Sequence, residues 1–83
     1  VDRKEVYKII DGERDYQEKC LAAGRWLRIS KSPAEFLSDI RVYTRKAEEK
    51  YVNTGSDVLC MIGIRKIAAL CVSAMERNTT PGR

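Results

Sequence analysis

Apolar residues recur at helical intervals in three stretches of the chain. From about Asp2 to Ala22, Val6, Ile9, Ile10, Tyr16 and Cys20 fall three and four apart, with Glu13 on the same stripe. That repeat puts them on one side of a helix. Asp2 is a suitable N-cap, and Gly24 supplies the residue that turns to positive φ beyond the helix end. Gly12 is the weak point, because glycine inside a helix costs backbone entropy. The second helix opens at Ser32-Pro33-Ala34-Glu35. There the serine hydroxyl accepts from the third helical N–H, proline presets φ, and the glutamate reaches back to the cap. Its stripe is Phe36, Leu37, Ile40, Tyr43, Ala47 and Tyr51, and it stops near Asn53-Thr54-Gly55. Arg25 to Lys31 has no clear period, and Asn78 to Arg83, with Pro81 and Gly82, reads as a tail.

Ser56 caps the third helix, whose stretch from Val58 to Met75 is apolar over about half its circumference. Cys60, Met61, Ile64, Ile67, Ala68, Leu70, Cys71, Ala74 and Met75 share a broad arc. Arg65, Lys66, Ser73, Glu76 and Arg77 lie opposite. Short helices cover only part of such an arc, so the remainder reads as a surface for other copies of the chain, with the two cations beside it. The expected fold is all-α, one helical domain over residues 1–83. Its second and third helices form an antiparallel hairpin, the first packs across it, and the unit assembles as a homo-oligomer. A chain of 83 residues buries a small fraction of its surface, which favours such assembly.

Cysteine and charge refine this picture. Cys20, Cys60 and Cys71 lie inside apolar helical patterns, and their odd number and wide spacing suit small core residues in a reducing compartment. No apolar run approaches the roughly 18 residues that span a bilayer, and the first twenty residues are charged throughout. The expectation is a cytoplasmic protein with no membrane segment and no signal peptide. The net charge is +4, and Lys19, Arg25, Arg28 and Lys31 make one local basic segment free of acids. It reads equally as a solvated loop or as a phosphate-binding loop.

Enzymatic chemistry finds little support. The chain has no histidine, so acid–base work would fall to Asp, Glu, Lys or Tyr. Glu48 and Glu49 are adjacent and flanked by Lys46 and Lys50, which suits a solvated helix face; with Asp57 they do not surround a metal from two sides. No catalytic residue, metal ligand or cofactor is expected. What survives is a binding constellation of aromatics among cations: Tyr7 with Lys4 and Lys8, and Trp26 between Arg25 and Arg28. Aromatic faces stack on nucleobases while Arg and Lys pair with phosphate oxygens. Each has a structural reading too. Trp26 would plug a small core, Tyr7 would pack at an interface, and Tyr16, Tyr43 and Tyr51 sit at core spacings. Arg65 and Lys66 would pair with an acid of a neighbouring helix or subunit.

Three stretches resemble a known family. They are Val6-Tyr7-Lys8-Ile9-Ile10-Asp11-Gly12-Glu13-Arg14-Asp15-Tyr16-Gln17, the helix start Ser32-Pro33-Ala34-Glu35-Phe36-Leu37, and Ile64-Arg65-Lys66-Ile67-Ala68-Ala69-Leu70-Cys71-Val72-Ser73-Ala74-Met75-Glu76 followed by Pro81. Together they look like the phage anti-CBASS nucleotide sponges, small helical proteins that defeat cyclic-oligonucleotide immunity in bacteria. The resemblance covers nearly the whole chain. It implies a homohexamer in the cytoplasm of the infected bacterium that binds cyclic dinucleotides, and cyclic trinucleotides at separate sites, and removes them uncut. It also implies that Tyr7 stacks on a base and that Arg65 contacts phosphate. The family's loop lysine has no single counterpart: the tryptophan comes later after Gln17 than in relatives, so Arg25, Arg28 and Lys31 are all candidates.

The nucleotide-binding candidates are thus Tyr7, Lys8, Arg25, Trp26, Arg28, Lys31, Arg65 and Lys66, with cyclic nucleotides and further copies of the chain as partners. Two other classes compete. A small basic helical protein binds DNA or RNA with a steep salt dependence, though the divided cations leave no continuous basic stripe, so no DNA is expected. A MazG-like nucleotide pyrophosphohydrolase relative without an intact metal site would need magnesium-dependent turnover.

Overall fold

A computed structural model describes residues 1–25 and 32–83, in three helices: α1 (Arg3–Ala22), α2 (Pro33–Thr54) and α3 (Asp57–Arg77). No strand occurs among the described residues, so the chain is all-α. The helix ends sit where capping chemistry puts them. Asp2 Oδ1 accepts from the Glu5 N–H at 2.9 Å and Ser56 Oγ from the Leu59 N–H at 3.2 Å. At the start of α2 the capping box closes both ways, Glu35 N–H to Ser32 Oγ at 3.2 Å and Ser32 N–H to Glu35 Oε1 at 3.1 Å. Gly55 ends α2 at φ 65°, a conformation that costs any residue with a Cβ.

α3 is the shared element: it packs against both α1 and α2, whose backbones do not meet among the described residues. Pro33 and Phe36 of α2 lie by Ala74 and Asn78 at the end of α3. Further along, a Cβ built on Gly63 would stand 2.7 Å from Ala47 Cβ. Only glycine at position 63 lets α2 and α3 approach this closely.

The face by which α1 meets α3 corrects the sequence reading. The buried α3 residues are Ala69 and Ser73, on the side shared with Arg65, Lys66 and Glu76 rather than on the apolar arc. α1 brings Glu13 and Gln17 as buried residues, with Arg14 beside them. A polar face on α1 demands a polar, small-residue face on α3, because buried polar groups must find partners. The apolar arc is left to α2 and, in part, to solvent.

The uncovered part forms a seam. Val58, Met61, Ile64 and Met75 are exposed along α3. Val58 is 70% exposed and Met61 58%. Among the described residues only Cys20, Phe36 and Ala69 are buried apolar side chains. Tyr16 and Tyr51, at core spacings in the sequence, are half exposed, and Cys60 and Cys71 are only half buried. The Cα radius of gyration is 13.5 Å, against about 11.8 Å for a compact chain of this length. The accessible surface is 6598 Å², against about 5,000 Å² for a folded monomer of this mass.

The composition of α3 also bears on the membrane. By length and composition α3 is long and apolar enough to cross one, with mean hydropathy 1.9 over 18 residues. Arg65-Lys66 interrupts its apolar run.

Candidate functional site at the α1–α3 crossing

Glu13 and Gln17, one turn apart on α1, hold the Arg65 side chain and the Lys66 backbone of α3. Arg65 Nε donates to Glu13 Oε1 at 2.7 Å; the carboxylate side chain is 6% exposed and the guanidinium 39%. Gln17 Nε2 donates to the Lys66 carbonyl at 3.2 Å, using the second lone pair of that oxygen. Arg65 spends one N–H on Glu13, and its Nη groups have no protein partner among the described residues. A sealed carboxylate without Arg65 would be an unpaired buried charge, a costly state.

Two clefts open from this crossing. One of about 490 Å³ is lined by Ile9, Gly12, Glu13, Tyr16, Ile62, Arg65 and Lys66. Its neighbour, about 250 Å³, is lined by Glu13, Tyr16, Gln17, Cys20, Arg25, Tyr43 and Lys66. Glu13, Tyr16 and Lys66 belong to both, so the clefts form one trough walled by two tyrosines. Its cations are Arg25, Arg65 and Lys66, and its single carboxylate is already paired. Such a trough is positive, and it offers rings to bases and N–H donors to phosphate oxygens. The Cys20 thiol beside the Tyr16 hydroxyl raises the phenol pKa above its ordinary value, with the Arg25 charge opposing. Tyr16 is therefore a neutral phenol at physiological pH.

A second ion cluster fastens the crossing outside the trough. Arg14 reaches Glu76 of α3 through Nε at 2.9 Å and pairs with Glu18 on its own helix. Burial pushes the Arg14 guanidinium down, but hydrogen bonds to both carboxylates outweigh it and hold the pKa above its ordinary value.

Of the sequence-derived candidates, Arg25, Arg65 and Lys66 line the trough. Tyr7 and Lys8 are exposed on α1 and line neither cleft. Tyr7 precedes Tyr16 by nine positions, about two and a half turns, so the two rings leave α1 on opposite sides. Trp26, Arg28 and Lys31 lie outside the described residues. Sequence reasoning assigned Tyr16 and Tyr43 to the core and so missed them as trough walls. The available signal was the placement of Tyr16 on the same side of α1 as Gly12 and the charged Glu13, an unusual neighbour for a core ring. Among the described residues no three His, Cys, Asp or Glu side chains gather as a metal site would require.

Searches against protein-family models, curated proteins and solved structures find no match to this chain.

Proposed function

We propose that the chain is a nucleotide sponge: a homo-oligomer that binds cyclic di- and trinucleotides without cleaving them and so blocks activation of CBASS effectors in an infected bacterium. The observation that carries this reading is the position of Arg65. It stands at the edge of the open α3 seam, tethered through Nε to Glu13 with its other N–H donors unpartnered among the described residues, beside Lys66 and a tyrosine-walled trough. A cation held in place at a self-association surface is a site for an anion shared between copies.

The proposed protomer is an α2–α3 antiparallel hairpin with α1 laid across it, repeated in a hexamer. A cyclic dinucleotide is small, doubly anionic and two-fold, and a pocket between two protomers offers each half of it one Tyr7 ring and one basic loop. A trinucleotide takes the Arg65–Lys66 region where three copies converge. Competition with an immune receptor requires about nanomolar affinity, roughly 12 kcal/mol, which stacking and charge-assisted contacts in a preformed pocket supply. The grip of α1 on Arg65 and Lys66 favours α3 as the core helix of an assembly in water over a membrane span. Its polar side is already spoken for by a charged, exposed helix.

The test is to mix purified protein with a panel of cyclic di- and trinucleotides, remove free ligand by filtration, denature the protein and identify what is released. Intact cyclic ligand in stoichiometric amount supports the sponge. Linear products would make the chain a nuclease, and no capture would favour a nucleic-acid-binding or protein-binding oligomer.

A further inference from the structure

The groove between α2 and α3 gathers three lysines, two of which, Lys46 and Lys50, the reading above leaves without a role. Lys46, Lys50 and Lys66 line a cleft of about 190 Å³ together with Tyr43, Ala47, Leu59, Ile62 and Gly63, and no carboxylate contributes to its wall. None of the three ammonium groups pairs with an acid among the described residues. The Ala47–Gly63 contact holds the two helices close. Lys46 Nζ sits 5.4 Å from the centroid of the Tyr43 ring, a cation–π distance that orients the side chain at the rim. Like charges collected around one small cleft repel one another until an anion enters.

We propose that this groove is a second anion site, which binds a diphosphate group. The charge count matches, since three ammonium groups face the roughly three negative charges of a diphosphate near neutral pH. The cleft is built within one protomer and goes beyond the proposed cyclic-nucleotide site, with Lys66 the residue common to both. The diphosphate comes either from free pyrophosphate or from a nucleoside diphosphate whose base lies along Tyr43, which also walls the neighbouring trough.

Calorimetric titration of the full chain with inorganic pyrophosphate, and separately with ADP, tests the site. One-to-one binding per protomer is expected. It should weaken about tenfold or more in Lys46→Gln/Lys50→Gln, both exposed and so replaceable without loss of fold. Arg3→Gln/Arg77→Gln removes the same net charge at exposed positions away from the groove and should leave affinity within about twofold. Tighter binding of ADP would identify a nucleotide as the source, and equal binding free diphosphate. Equal losses in the two double variants, or no binding at millimolar ligand, would overturn the proposal. Cyclic-nucleotide capture measured on the same lysine variant separates failure of this site from failure of the sponge reading.

Discussion

Glu13 and Arg65 meet at 2.7 Å across the α1–α3 crossing, the carboxylate sealed from water and the guanidinium part-exposed. The pair therefore carries two duties, fastening α1 to α3 and aiming a cation. Removing the arginine strands a buried carboxylate. Arg65→Ala should lower the unfolding free energy by about 2–3 kcal/mol, below the range for fully buried pairs because water reaches the guanidinium. Lys66→Ala should cost well under about 1 kcal/mol, because Gln17 holds the Lys66 backbone rather than its side chain. Urea unfolding of both variants checks this, and equal losses would contradict the geometry.

Tyr7 and Arg65 belong to different proposed sites. Tyr7→Ala should weaken dinucleotide binding more than trinucleotide binding, and Arg65→Ala should do the reverse. Calorimetry with both ligands, at a temperature where each variant is folded, decides. Equal losses in the two variants would sink the two-site picture.

The open α3 seam is expected to be the self-association surface. Met61→Glu places a charge on an apolar contact, and it should shift sedimentation equilibrium from an oligomer towards the monomer by about 100-fold or more in association constant, the scale of burying an unpaired carboxylate. An unchanged oligomer would move the interface elsewhere.

Gly12 is a glycine without a conformational reason. Its φ is not positive, and a Cβ there would meet nothing within 4 Å. Gly12→Ala should raise stability by about 0.5–1 kcal/mol in thermal unfolding. Because Gly12 lines the larger cleft, a simultaneous loss of nucleotide binding would mean that ligand approaches the backbone there.

Arg14 offers a pH test. Its folded pKa lies above the ordinary guanidinium value, so its own contribution is complete below the unfolded value and is lost only as pH rises through the higher folded one. Arg14→Met should therefore cost about 1 kcal/mol with no trend from about pH 6 to pH 9. A cost that declines steadily across that window in chemical denaturation would assign the stabilisation to another group.

Local structure follows from the amino-acid sequence alone. Asp2, the Ser32–Glu35 box, Gly55 and Ser56 act through neighbours three or four residues away, so helix number and boundaries are written in short-range chemistry. The placement of Arg65 and Lys66 in the middle of an apolar helix was equally legible. Tertiary structure decided which faces met. Periodicity reports that a helix has an apolar side but not which partner covers it, and the arc on α3 looked like the natural buried surface. The polar face of α1 overruled it. Glu13 and Gln17 required partners 52 and 49 residues away, and satisfying those buried groups turned the small, charged side of α3 inward and left the seam open. For the same reason Tyr16 and Tyr43 became trough walls rather than core. Whether a ring at a core spacing is covered depends on the direction from which the next helix arrives, and only packing sets that direction.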